Sequence, residues 1–428
     1  MEAKRFFGWA GASTLVVVLS ACGGGGGGSG GDERTAPPAT TISSSSQGSQ
    51  AAAGATQSAN VVTGGGSQLG GLGEIGLSAL TAAPKKGHSL ARQRAAAESD
   101  PVFGKAISMQ NRLLAPRVKK AAGRAQALRA AKVGTQTVTA FGPDPFPCDS
   151  GSGSISGTFD DATNNITLTV TFVDCFDAFD GSTTNGTMTL SGTFTDGTSS
   201  FSGSMTLTFT NLTIVTGSET MTANLTMGTS FTISTSFTDY TDTFGFNADG
   251  AISFSDGVDS VSITYDAMDY SATERYAEDG SANVLIDKLT EVMDGGVTFA
   301  AVVLSVSVSQ SLDFYDMTTV WDWTQWYTDF TTITQTINGT FSYSETPVVC
   351  ANGTYVIVTN TPITWDSMQG FATAGQLTIN SNTIIVFNSD GSITVTVGAN
   401  APVDFTDVSD LEAECPISDP GMADLSPT

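Results

Sequence analysis

From Ile166 onward the chain alternates apolar and hydroxyl-bearing residues, and this period of two constrains its fold more than any other feature. Ile166, Leu168, Val170 and Phe172 are separated by threonines, and the pattern returns at Met188, Leu190 and Phe194, at Met205, Leu207 and Phe209, at Phe231 and Ile233, and at Val261, Ile263 and Tyr265. Side chains that alternate this way line opposite faces of an extended chain, one face buried and the other wet, as in antiparallel sheets. Asp196-Gly197, Asp249-Gly250, Asp279-Gly280, Asp294-Gly295 and Asp390-Gly391 supply the positive φ of tight turns and are read as hairpin ends. The region is therefore expected to be mainly β, a large antiparallel meander or a β-sandwich. At about ten residues per strand and turn it would hold more than 20 strands, as one unit or as two subdomains meeting near 290. A short helix around Ala282 to Met293 is the one interruption expected. Ile155-Ser-Gly-Thr-Phe159, Leu190-Ser-Gly-Thr-Phe194 and Ile337-Asn-Gly-Thr-Phe341 form an internal echo, read as a repeated hairpin unit.

Only 14% of the 428 residues are charged, yet the net charge is −25. The imbalance is local. Residues 85–134 form a basic, alanine-rich segment holding twelve of the seventeen lysines and arginines, whereas from Val133 on only Arg275 and Lys288 are basic. Leu114, Val118, Ala121, Ala125 and Leu128 recur at helical steps, so this segment is read as a short α-helical stretch. The acidic region that follows, 135–428, repels phosphate backbones, and nucleic acid is excluded as its partner.

The amino terminus carries a different signal. Lys4 and Arg5 precede an apolar run from Phe6 to Leu19 that is too short to span a bilayer, followed by Leu19-Ser20-Ala21-Cys22. These four residues resemble the lipobox of bacterial lipoproteins. The resemblance implies a signal peptide over 1–21, lipidation of Cys22, and attachment of the mature protein to a membrane. Because Gly23 rather than an aspartate follows, it further implies the outer membrane, with the protein facing the periplasm or the cell surface. The Gly/Ser-rich residues 22–84 are expected to form a disordered tether. With Cys22 acylated, Cys148, Cys175, Cys350 and Cys415 are an even set in an oxidising compartment. Of the three connectivities possible, Cys148 with Cys175 and Cys350 with Cys415 join nearest neighbours and are favoured. The β region, from Cys148-Asp149-Ser150-Gly151 to Cys415, is also similar in pattern to uncharacterised, secreted, disulfide-containing β proteins of proteobacteria. That group carries no activity over.

His88 is the only histidine and lies before the β region, so no Ser-His-Asp or Cys-His catalytic set can be built there. No catalytic residue is assigned and an enzyme is not expected. Asp174, Asp177 and Asp180 crowd a loop in a way that suits calcium, the one cofactor the sequence offers, although their spacing matches no established calcium loop. The aromatic stretch Phe314 to Phe330 is the candidate ligand surface, with Trp321, Trp323, Trp326 and Tyr327 able to stack on sugar rings or apolar ligands. The expectation is thus a lipid-anchored envelope protein with a structural or surface-interaction role, partnered by the membrane and by envelope glycans or envelope proteins. A glycan- or apolar-ligand-binding module is the alternative.

Overall fold

The computed structural model describes residues 34–56, 138–160, 165–196, 200–234, 240–278, 284–303, 305–323, 332–346, 350–366 and 371–415. Residues 1–21, expected to be a signal peptide, Cys22, the basic segment 85–134, Trp326 and Tyr327 lie outside the described residues. Sixteen strands form one antiparallel sheet in which every strand pairs with its sequence neighbours. They are β1 (Val138–Phe146), β2 (Ser150–Asp160), β3 (Asn165–Asp177), β4 (Ser182–Asp196), β5 (Ser200–Thr216), β6 (Glu219–Ser234), β7 (Tyr240–Ser255) and β8 (Ser260–Glu278). Then come β9 (Val284–Val303), β10 (Val306–Asp322), β11 (Thr332–Thr346), β12 (Gly353–Asp366), β13 (Phe371–Ile379), β14 (Thr383–Phe387), β15 (Ile393–Val397) and β16 (Val403–Phe405). A helix, α1, described over residues 45–56, precedes the sheet, and a short one, α2 (Val408–Glu412), follows it.

The mainly β expectation holds, in its meander form. Strand count differs from the expectation because β3 to β12 are 13–20 residues long rather than about ten. Residues 284–293, read as helical, belong to β9, which pairs along its length with β8 and β10. Tertiary pairing overrides the local helix preference of Leu285, Lys288, Leu289 and Glu291. Since β9 passes through residue 290 without interruption, the sheet has no subdomain boundary there.

The alternation is legible in the burial. Ile166, Leu168, Val170, Phe172, Met188, Phe209, Ile263 and Tyr265 all point to one face, and that face belongs to a single core running from Phe141 in β1 to Phe405 in β16. No second sheet lies among the described residues, and the described turns of α1 cannot cover sixteen strands. The sheet must therefore curl its apolar face inward. Outside, hydroxyls satisfy one another across strands, as in Thr158 with Thr167 (2.7 Å), Thr193 with Ser204 (3.0 Å) and Thr298 with Ser311 (3.0 Å). Such pairs make a polar surface that needs few charges, which accounts for the low charged fraction.

Curling is built in by a line of β-bulges crossing the sheet. Asp174, Asn211, Ala267 and Asp316 have φ of 46 to 50° and mark register shifts in β3, β5, β8 and β10. A side-chain oxygen on an adjacent strand accepts the N–H of three of them: Asn185 takes Asp174 (2.7 Å), Asn224 takes Asn211 (2.6 Å) and Asp249 takes Ala267 (3.3 Å). A glycine on a neighbouring strand receives the displaced backbone. Gly295, at φ 97°, lies so close to the Ala267 carbonyl that a Cβ would collide with it, and Gly186, Gly250 and Gly339 stand in the same way against Asn211, Asn224 and Asp316. Bulges of this kind increase twist and bend a sheet. Asp249-Gly250 and Asp294-Gly295 are accordingly not hairpin ends: both sit in mid-strand as members of this seam. Asp390-Gly391 does occupy the β14–β15 turn. The Gly-Thr-Phe echo is not a repeated unit either, since Gly157 lies beneath the Phe141 ring whereas Gly339 belongs to the seam.

Residues 34–56 correct the expected tether over that span. Ser44 Oγ accepts the Gln47 N–H (3.2 Å) and Gln47 Oε1 accepts the Ser43 N–H (3.0 Å), a capping-box arrangement that starts α1. Ala51, Ala52, Ala53 and Ala55 are buried, and Gly48 lies directly on Val397 of β15, so the small side chains let the helix lie within the curl.

The seam makes a direct prediction. Gly295→Ala should cost about 2–4 kcal/mol in urea unfolding, because positive φ and a backbone collision combine, whereas Gly217→Ala, at positive φ in an open turn, should cost about 1 kcal/mol.

Candidate functional site

Two features stand out once the inward face is followed along β8 to β12. The first is a polar row in an otherwise apolar interior. Beyond the bulges, register aligns Ala272, Glu291 and Thr319 across β8, β9 and β10, and in the next inward row aligns Glu274, Leu289, Trp321 and Gln335 across β8 to β11. Glu291 is only 2% exposed. Its Oε1 accepts the Tyr270 hydroxyl at 2.8 Å, while Oε2 has no partner. Thr319 Oγ1 and Trp321 Nε1 are likewise buried and unpartnered. On the flank, Trp365 Nε1 donates to Gln335 Oε1 at 3.1 Å. Three indoles meet here, Trp321 stacking on Trp323 (centroids 6.3 Å, 23° between planes) and tilting against Trp365 (6.0 Å).

Burial drives the electrostatics of this row. Desolvation pushes the Glu291 carboxyl up to about 7, the Tyr270 hydrogen bond pulling it down and Glu274 adding to the rise. Burial, reinforced by Glu291, raises the Tyr270 hydroxyl far above the ordinary phenol range. Glu291 therefore carries its proton below neutral pH and is a charged acceptor above it, while Thr319 offers a hydroxyl and Trp321 a donor, beside flat aromatic faces. Chemically, these groups can donate to and accept from hydroxyls.

Of the residues expected from sequence, Trp321 and Trp323 come together here. Tyr270, Glu291, Thr319, Gln335 and Trp365 join them without having been singled out. Extending the alternation through 284–303 would have put Glu291 on the apolar face; the helical reading of that stretch hid it.

The second feature is a strap. Residues 34–43 begin on the outer face, where the Arg34 guanidinium reaches Asp266 (2.9 Å) and Asp313 (3.1 Å) over Gly296 and lies 5.4 Å from the Tyr315 ring centroid. Thr40 then exchanges hydrogen bonds with Thr354, its N–H donating to the Thr354 carbonyl (2.9 Å) and its hydroxyl accepting the Thr354 N–H (2.7 Å). Side-chain amides of Asn380, Asn382 and Asn400 donate to the carbonyls of Thr40, Ile42 and Ser43 (2.8, 2.7 and 3.2 Å). The strap thus passes from the outer face over the end of the sheet and turns inward as α1.

Both cysteine pairs close at that same end. Cys148 bonds Cys175 and Cys350 bonds Cys415, as the nearest-neighbour reading has it, each with Cα atoms 5.3 Å apart. Asp174, Asp177 and Asp180 also lie there, engaged with their own hairpin: Asp174 with Asn185, Asp177 Oδ1 accepting the Phe179 N–H, and Asp180 Oδ1 accepting the Ser182 N–H. Among the described residues no three histidine, cysteine, aspartate or glutamate side chains are grouped to share a metal ion. No protein-family model matches the chain, and neither the curated proteins nor the solved structures searched contain a match to it.

Glu291 gives the site a pH signature. A carboxyl raised on folding stabilises the fold fully below its unfolded value near 4.5, and that stability is lost as pH rises through about 7. The loss between these limits is on the order of 3 kcal/mol. Glu291→Gln should flatten this decline, making the variant more stable than the parent at pH 8 by urea unfolding, with the difference vanishing or reversing at pH 4.5.

Proposed function

We propose that the chain is a lipid-anchored protein of the outer membrane that braces or binds rather than catalyses. The observation that best supports this reading is the strap. Arg34 lies twelve residues beyond Cys22, a span of at most about 40 Å. A chain acylated at Cys22 would thus be tied to the sheet by an ion pair, a run of hydrogen bonds and a buried helix, so that anchor and sheet act as one mechanical unit. A low fraction of charged residues, hydroxyl-paired outer strands and disulfides suit an envelope setting. Metabolic labelling with a fatty acid should place label on the mature amino-terminal cysteine and recover the protein with outer membranes. Cys22→Ser should lose the label and remain unprocessed; a mature, unlabelled parent would sink the reading.

A second reading, that of a ligand-binding module, is favoured by the unpartnered atoms of Glu291, Thr319 and Trp321 beside stacked indoles. Unsatisfied buried groups cost about 1–3 kcal/mol each, and a ligand that pairs them recovers that cost. A glycan with adjacent hydroxyls supplies both the donor for Glu291 and the acceptor for Trp321. Titration with envelope oligosaccharides should quench tryptophan fluorescence in the parent and lose most of that response in Trp321→Phe. No change with any saccharide tested would retire the module.

A further inference from the structure

The polar row inside the curl is acidic as well as unpartnered. Glu291 Oε2 is buried without a donor, and the charge that acts on Glu291 through space is a second carboxylate, Glu274 of β8, which adds to the rise of the Glu291 carboxyl. Glu274 pairs in register with Asp242 of β7, itself buried, so three acidic side chains share the inward face within two neighbouring rows. The two basic residues of the sheet region are directed elsewhere. Arg275 and Lys288 pair with each other across β8 and β9, one residue out of phase with Glu274, and therefore lie on the outer face.

Register sets the scale of the site. Glu291 and Thr319 face each other across β9 and β10, which puts their Cβ atoms about 5 Å apart, and Trp321 stands diagonally from Glu291 at about 7 Å. A molecule lying across them meets a carboxylate oxygen that needs a donor and, close by, an indole N–H that needs an acceptor. Trp321 lies one residue from the end of β10, at the rim opposite the disulfides, and both it and Trp323 keep part of their surface exposed, so a ligand arriving at that rim meets the indoles first. Stacked indoles beside carboxylates attract a cation on two counts, through the ring quadrupole and through its charge. A neutral hydroxyl would give Glu291 a donor but bring no positive charge to Glu291 and Glu274.

We propose that the row takes an amino sugar with a free, protonated amine: the ammonium donates to Glu291, a neighbouring ring hydroxyl accepts from Trp321 Nε1, and the ring lies against the indoles. The inference rests on the ligand-binding reading of this site and sharpens it, replacing a hydroxyl by an ammonium at Glu291. An ethanolamine headgroup carries the same ammonium beside an oxygen, but its phosphate would be repelled by Glu274 and Asp242, and it has no ring to set against Trp321 and Trp323.

The test titrates the full chain at pH 7 with methyl glucosaminide, its N-acetyl derivative, methyl glucoside and phosphoethanolamine, and reads tryptophan fluorescence. The glucosaminide should quench at about one-tenth of the concentration that the other two sugars need, and phosphoethanolamine should leave the signal unchanged. Glu291→Gln, in a variant whose near-ultraviolet circular dichroism matches the parent's, should bring the three sugars to equal strength. Trp321→Phe, which keeps Glu291 and loses the indole N–H, should weaken all three while retaining the preference for the amine. Equal quenching by the three sugars in the parent overturns the amine and leaves the saccharide module standing, whereas no quenching by any of them overturns both. A preference for the amine that survives Glu291→Gln removes Glu291 from the site and overturns the proposal. Quenching by phosphoethanolamine at the concentration of the glucosaminide does so as well, by assigning the site to a lipid headgroup.

Discussion

Everything in this molecule depends on hiding one face of a very wide sheet. Sixteen strands at about 4.8 Å apart make a ribbon roughly 75 Å across, whose inward face is phenylalanine, methionine, isoleucine and leucine. Such a face is tolerable in water only if it is covered, and no second layer of strands exists among the described residues. The covering is the sheet itself, bent along a line of bulges where Asn and Asp side chains hold displaced N–H groups and glycines admit the displaced carbonyls. Alternation supplies the driving force, and the seam supplies the shape that lets the force act.

A curled sheet leaves two ends and two edges to be managed. At one edge β1 carries Pro143 and Pro145, which cannot donate to a further strand, and at the other β16 is only three residues long. At the rim that carries the β1–β2 and β11–β12 connections, two disulfides and the strap bind separate parts of the meander together. Cys148–Cys175 ties the first turn to the end of β3, and Cys350–Cys415 ties the β11–β12 connection to the segment after α2. The strap reaches further, from the outer face of β8 and β10 through β12 to the inner face of β14 and β15. Segments distant in sequence, otherwise joined only through successive hairpins, are thereby held directly to one another.

How much of this was legible follows from what each signal measures. Inward and outward positions were plain wherever period two was strong, as at Ile166 to Phe172 and Val261 to Tyr265, because burial of one face is what the period records. Asp-Gly pairs were ambiguous: they report a place where the backbone needs freedom, and both a hairpin turn and a bulge seam need it. Asp390-Gly391 is the former, Asp249-Gly250 and Asp294-Gly295 the latter, and only strand pairing separates them. Ser44-Ser-Ser-Gln47, with three alanines at 51–53 one turn further on, is a helix start written in the sequence, obscured by the glycine-rich residues around it. Within the site, the aromatic half was visible because tryptophans are conspicuous; Glu291 was not, because a helical reading of 282–293 gives it no inward face.

The charge of the sheet region gains a structural meaning from the seam. Several of its aspartates are hydrogen-bond acceptors first and solubilising charges second, since Asp249, Asp256 and Asp180 each take a backbone N–H. Placing them where the backbone needs acceptors crowds like charges: Asp269 and Asp294 face each other in register, and burial together with Asp294 raises the Asp269 carboxyl. Asp266 and Asp313 flank Gly296 from either side, and there the crowding is relieved by Arg34. Gly296 makes that possible, because a side chain at this position would occupy the space taken by the Asp313 carboxylate. The cation that offsets this pair belongs to the strap. Without Arg34 these two carboxylates would repel each other, so the electrostatics of the sheet and the seating of the strap are joined through one side chain.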